Sequence, residues 1–230
     1  MRCGALLLIL LCVMTGCGDV PWGHQYLGAR YESDPLGEGF GYDPDPLIRF
    51  DAFDCTTFVE TVLAHGDVDD LCQIRYDGGR IDFVNRNHFI ETDWLKNNAD
   101  RIENISTQIA PTTVRRVTID RANWMRRVHG IHTDDAPVTV DLQYVPYDRI
   151  PAMMNPRRPM VVLFITDGTG MVDKIGTDLG VVHMGFLGKN GIFRHASSQH
   201  GRVMDINFDD YVAMRKKSRH NLGVMFLRIK

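Results

Sequence analysis

Basic residues are not in excess in this 230-residue chain: 26 Lys and Arg stand against 29 Asp and Glu, for a formal charge of −3. No basic stripe runs along it, so nucleic acid is not an expected partner. Long apolar runs are missing too. The N-terminal stretch Ala5 to Met14 has ten residues, and a bilayer core of ~30 Å takes roughly 20. Internal repeats and low-complexity tracts are absent, which leaves one domain, or one domain with a large insertion. Cysteine is scarce: five in all, two of them, Cys3 and Cys12, within the first 16 residues. A chain this long does not need a disulfide to fold.

What is present begins with a leader. Arg2, the short apolar stretch and Thr15-Gly16 before Cys17 describe a secretory signal over residues 1–16. Met14-Thr15-Gly16-Cys17 resembles a bacterial lipobox, with methionine where leucine is usual. Cys17 is then the lipidated first residue of the mature chain, and an ordinary signal peptide cut nearby is the alternative. Gly18, rather than aspartate, after Cys17 favours the inner leaflet of the outer membrane by resemblance to sorted lipoproteins. Cys55 and Cys72 then remain as thiols, free or paired with each other.

Residues 18–50 are rich in Gly, Pro and Asp and read as an extended arm that contains Tyr31. The segment from Phe50 to His65 predicts a helix, with Asp54 as its cap and Phe58, Val59, Val62 and Leu63 as its apolar stripe. Gly66 is its stop. Over 67–130 the pattern is mixed and mainly helical: Val68 to Tyr76, Asp93 to Ile102 and Arg121 to Val128 as helices, Arg115 to Ile119 as a strand. From Ala136 strands dominate: Val138–Val145, Met160–Thr166, Gly180–Leu187, Ile192–Ser197, Val203–Phe208 and Gly223–Ile229, with a helix over Asp209–Arg219. Helices first and antiparallel strands later predict an α+β fold.

Cys55 opens the best-marked helix. Unpaired N–H groups and the helix dipole favour a negative charge there, so its thiol is expected to ionise below the ~8.5 of free cysteine. The same N–H groups suit an oxyanion; a small buried core residue is the commoner fate of a cysteine. Nine histidines are candidate bases, and His183 and His195 stand out inside apolar strand runs. A three-residue loop Lys189-Asn190-Gly191 with Gly191 left-handed would set Gly185 opposite His195, leaving His183 diagonal on the same face. Loops of two or four residues would separate them. The triad expected is Cys55 as nucleophile, His183 as proton shuttle and His195 as orienter. His129-Gly130-Ile131-His132 lacks an acidic partner at metalloprotease spacing, so no metal is expected.

The run Phe53-Asp54-Cys55-Thr56-Thr57-Phe58-Val59-Glu60, with His183-Met184-Gly185 and His195-Ala196-Ser197, resembles the NlpC-type, papain-like cell-wall cysteine hydrolases. The similarity is greatest to their N-acetylmuramoyl-L-alanine amidase-like subfamily. Leu27-Gly28-Ala29-Arg30-Tyr31, Ile74-Arg75-Tyr76-Asp77-Gly78, Arg86-Asn87-His88-Phe89 and Tyr144-Val145-Pro146 extend the match from about Leu27 to Ile229.

The resemblance implies a circularly permuted papain-like fold, a Cys-bearing helix packed on an antiparallel sheet, within a single domain over 17–230. A helical insertion at about 67–130 is implied as well. It further implies Tyr31 beside the nucleophile and cleavage of the N-acetylmuramoyl-L-alanine bond in peptidoglycan fragments; that acyl transfer needs no cofactor, and a monomer is expected. Ala29-Arg30 departs from the small residue and proline usual before that tyrosine, and Met184 from valine. Asp54, Arg86, His88 and Trp94 are expected substrate contacts, Arg86 for a carboxylate and the Trp94 indole for a sugar face. A salt bridge and a core anchor are the plainer roles for those two. Two other functions fit the same residues: a D-glutamyl–diamino-acid endopeptidase, and a lipoprotein that binds peptidoglycan without cleaving it.

Overall fold

The computed structural model describes residues 22–230; the signal stretch and Cys17 lie outside them. Ten strands form one sheet: β1 (Arg30–Tyr31), β2 (Ala52–Phe53), β3 (Ile102–Asn104), β4 (Thr113–Ile119), β5 (Val138–Pro146), β6 (Met160–Thr166), β7 (Val181–Leu187), β8 (Ile192–Ser197), β9 (Arg202–Asn207) and β10 (Asn221–Ile229). Their spatial order is β2-β1-β9-β8-β7-β6-β10-β5-β4, with β3 on the far end of β10. Pairing is antiparallel except between β1 and β2. The α+β class and the Cys-bearing helix on an antiparallel sheet are as the sequence predicts.

β6 is the centre of the core. All seven of its residues are buried, as a strand covered on both faces requires. Val161, Leu163 and Ile165 face one layer with Phe58, Val59, Met184 and Phe186, while Val162 and Phe164 face another with Phe193, Phe208 and Tyr211. Helix α1 (Cys55–Leu63) fills the first layer and the Phe208–Arg215 helix the second.

The start of α1 is fixed by its own residues. The Asp54 carboxylate accepts the Thr57 backbone N–H at 2.7 Å, and Thr57 Oγ1 accepts the Asp54 N–H at 3.0 Å. This reciprocal capping satisfies two N–H groups, and a cap of this kind contributes ~1 kcal/mol. The helix presses Phe58 edge-on against Phe186 of β7, at 5.9 Å between ring centres. It stops where His65 and Gly66 turn left-handed, at φ of 53° and 75°. Helix α2 (Val68–Arg75) follows, capped by Asp67.

Lys189, Asn190 and Gly191 form the β7–β8 loop, with Asn190 and Gly191 both left-handed (φ 59° and 65°). The pairs are Phe186 with Arg194 and Leu187 with Phe193. Continuing that register sets Gly185 opposite His195, the arrangement expected from a three-residue loop.

Two expectations change. The insertion expected at about 67–130 is part of the main sheet: it supplies β4, the strand expected over Arg115–Ile119, and also β3, which was not expected. Within it the helix expected over Asp93–Ile102 is shorter: a wide turn over Ile90–Trp94 runs into Leu95–Asn97, and Ile102 to Asn104 pair with Leu227 to Ile229 instead. Sheet pairing there outweighs helix propensity.

Gly185 has no room for a side chain. A Cβ there would lie 2.6 Å from the Arg194 carbonyl oxygen and 2.6 Å from the Phe193 ring. Gly185→Ala should therefore destabilise the fold by about 1–3 kcal/mol through overpacking, measured as a lower midpoint in urea with an unchanged slope. An unaltered midpoint would show that the two strands are looser than described.

Candidate active site

Four polypeptide segments converge at the first turn of α1. Cys55 is the first residue of that helix and is half-buried. Its sulfur lies 4.0 Å from Thr56 Oγ1 and receives the backbone N–H of Met184. The β7–β8 pairs end at Phe186 and Arg194, so β7 and β8 part before Met184. Cys55 thus meets β7 at the residue adjoining His183.

His183 and His195 turn to the second core layer, packed among Phe164, Phe193 and Tyr211. Nε2 of His183 lies 2.8 Å from Nδ1 of His195. That bond leaves Nδ1 of His183 as the nitrogen available to a thiol. Among the described residues there is no direct hydrogen bond between Cys55 and His183. Tyr31 arrives through the short parallel pairing of β1 with β2, where it stands beside Phe53, two residues before Cys55. Its hydroxyl is made less acidic by burial first, then by the charges of Cys55 and Asp54.

The thiol itself is a correction. The helix start was expected to acidify it, whereas burial, and then the neighbouring Asp54 charge, push it up to about 12. The Met184 N–H and the Thr56 hydroxyl act the other way and are outweighed. Burial holds His183 well below the ordinary imidazole range, with help from His195 and Arg215. His195 is lowered to about 4, again by burial first and then by His200. At neutral pH the site therefore rests as a neutral thiol beside two neutral imidazoles.

Next to this point opens a cleft of about 180 Å³. Asp54, Arg86 and His88 line it together with Asp34, Thr56, Trp124 and His129. Trp94 does not: its side chain is fully enclosed in the first core layer, at 0% exposure, so it is a core anchor rather than a sugar platform. Trp124 stands at the cleft in its place. Arg86 lines the cleft with its guanidinium already engaged: Glu38 at 2.7 Å, Asp43 at 2.6 Å and Asp34 at 3.3 Å. It has no free face for a substrate carboxylate. Nε2 of His88 is bonded to the Phe83 carbonyl at 2.7 Å. Cys72 is buried in α2, and both it and Cys55 are free thiols. Asp34, Trp124 and His129 were not singled out as substrate contacts from the sequence. The left-handed backbone of Asp34, at φ 49°, is visible only once the fold is known.

A family model described as N-acetylmuramoyl-L-alanine amidase-like matches residues 22–220, and the chain belongs to that family. Among solved structures it is similar to a Legionella pneumophila protein, with a TM-score of 0.81 and 24% identity over 90% of this chain and 86% of that one. It is also similar to an N-acetylmuramoyl-L-alanine amidase from Bacteroides uniformis, with a TM-score of 0.73 and 24% identity over 92% and 98% of the two chains. At these identities the likeness establishes the shared fold. No curated protein matches the sequence.

The resting protonation state has a direct readout. With the thiol pushed up and His183 held down, the Cys55 thiolate is sparse at neutral pH, and its population rises with pH. Alkylation by iodoacetamide should be slow at pH 5–7 and climb steadily above pH 8, followed by mass spectrometry of the Cys55 peptide in a Cys72→Ser background. A flat, fast plateau between pH 5 and 7 would reveal a thiolate–imidazolium pair and overturn this account.

Proposed function

We propose that the protein is a cysteine amidase that cleaves the bond between N-acetylmuramic acid and L-alanine in peptidoglycan fragments. The observation that carries the reading is the approach of Cys55, the first residue of α1, to β7 at Met184, next to a His183 whose ring is bonded to His195, in a chain of this family. Cys55 attacks the lactyl carbonyl while His183 takes its proton, so charge forms only as the carbon–sulfur bond does. Neutral resting groups favour this concerted transfer over attack by a standing thiolate. The negative oxygen that develops is met by the N–H groups at the start of α1 and by the Tyr31 hydroxyl.

His183, now protonated, hands the proton to the departing alanine nitrogen, and the amide bond breaks to leave a thioester. Water, deprotonated by the same imidazole, then releases the lactyl carboxylate and restores the thiol. His195 keeps the His183 ring turned with Nδ1 towards the sulfur throughout.

The Met14–Cys17 motif supports a mature protein lipidated at Cys17 and held at the periplasmic face of the outer membrane. Two acyl chains and an amide-linked third would hold it firmly, where one chain binds only marginally. Radiolabelled palmitate should enter the wild-type protein and not Cys17→Ala, and release of an unlabelled wild type into the soluble periplasm would dismiss the anchor.

Digestion of a disaccharide-tetrapeptide should release a peptide beginning with alanine, identified by mass. Cys55→Ala should lower the rate by at least about 10³-fold. A dipeptide left on the sugar would instead mark a D-glutamyl–diamino-acid endopeptidase. No turnover by wild type, with binding equal to that of Cys55→Ala, would leave a binding protein only.

A further inference from the structure

β7 carries a bulge one residue before His183. Along β6 the pairs run Phe164 with His183 and then Ile165 with Val181, so Val182 is left without a partner and is 40% exposed. One extra residue inside a strand reverses which side its neighbours face. Val181 therefore joins the first core layer with Ile165, while His183 turns to the second beside Phe164 and Tyr211. In a regular strand these two residues, two positions apart, would share a face. His183 would then leave the layer that holds His195.

A bulge breaks the ladder, and the backbone N–H groups it releases need other acceptors. Here both find the same atom. Oε1 of Glu91 accepts the N–H of Gly180 and, at 2.6 Å, the N–H of Val181. The Gly180 carbonyl stays with β6, accepting the Thr166 N–H at 2.9 Å. Glu91 comes from the wide turn Ile90–Trp94 in the 67–130 segment, a turn anchored by the fully enclosed Trp94. Its side chain is buried, and its other oxygen has no hydrogen-bond partner among the described residues. Burying a carboxyl with one oxygen unmatched costs stability, so packing alone does not account for it.

We infer that Glu91 is a positioning residue for His183: by holding both N–H groups at the bulge it keeps Val181 and His183 on opposite faces, and with that keeps the His183 ring against His195. It touches neither substrate nor the reacting atoms. The kinetic consequence rests on the amidase reading; the placement of the ring does not.

The role needs an acceptor oxygen at the right reach rather than a charge, and two variants of the full chain separate these. Glu91→Gln keeps a carbonyl oxygen at the same reach and loses the charge. Glu91→Asp keeps the charge on a side chain one methylene shorter. With the disaccharide-tetrapeptide, Glu91→Asp should lower kcat about 10²-fold at unchanged KM, the effect of a misplaced group, and Glu91→Gln should stay within about threefold of wild type. NMR of protein labelled with ¹⁵N-histidine reads the ring directly. The imidazole proton shared by His183 and His195, assigned by its absence from His195→Ala, should persist in Glu91→Gln and vanish from Glu91→Asp. Circular dichroism confirms that both variants are folded, and the urea midpoint is expected to fall in both, so a loss of stability alone cannot produce the split. A folded Glu91→Asp with wild-type kcat and an intact imidazole signal would overturn the inference, as would a Glu91→Gln as impaired as Glu91→Asp. Absence of turnover by the wild type would defeat the amidase reading and leave the imidazole signal to decide the role of Glu91.

Discussion

The contact on which the site depends is the 2.8 Å hydrogen bond between Nε2 of His183 and Nδ1 of His195. It joins residues twelve positions apart and exists because the intervening loop has three residues. Side chains alternate along a strand, so a loop shorter or longer by one residue would send one ring to the opposite face. Asn190 and Gly191 adopt the left-handed conformations that this loop demands. Gly185, opposite His195, lets the Phe193 ring and the Arg194 carbonyl come close enough to hold the second imidazole in place. The bond also occupies Nε2 of His183, so in the proposed mechanism Nδ1 is the nitrogen that exchanges a proton with Cys55.

Around that bond burial sets the electrostatics. Taking ionisable groups out of water raises a thiol and lowers an imidazole, and both shifts suppress charge. At rest the shifts thus favour the uncharged thiol and imidazoles. The helix dipole is real but small beside this effect, and the Asp54 carboxylate that caps α1 opposes it. One residue thus supplies the first turn of the helix and hinders ionisation of the thiol one position later.

Much of this was legible in the sequence for physical reasons. Side chains alternate along the strand runs 181–187 and 192–197, so with the Asn-Gly loop taken as three residues the register and the shared face of the two histidines could be counted out. The capped helix carrying Cys55 had matching signals at both ends. Segment 67–130 was harder, because its short elements draw their stability from contacts remote in sequence: Ile102 to Asn104 are held by β10, more than a hundred residues later. For the same reason Trp94 and Trp124 could not be told apart as core and rim. Both sit in short helical stretches, and only the packing shows that the first is enclosed. The acidity of Cys55 was misjudged because helix position is readable from sequence and desolvation is not.

Arg86 has a consequence that reaches past charge balance. It ties Asp34, Glu38 and Asp43, three points on an otherwise irregular loop, to the segment that follows α2. Enclosed ion pairs are screened far less by dissolved salt than exposed ones. Glu38 and Asp43 are enclosed with Arg86 while Asp34 is exposed, so the first two pairs hold the rim of the cleft in shape with little dependence on ionic strength, and the cavity stands ready-made. A ligand entering it does not have to order the loop first, so the entropy of loop fixing is settled in folding rather than charged against affinity.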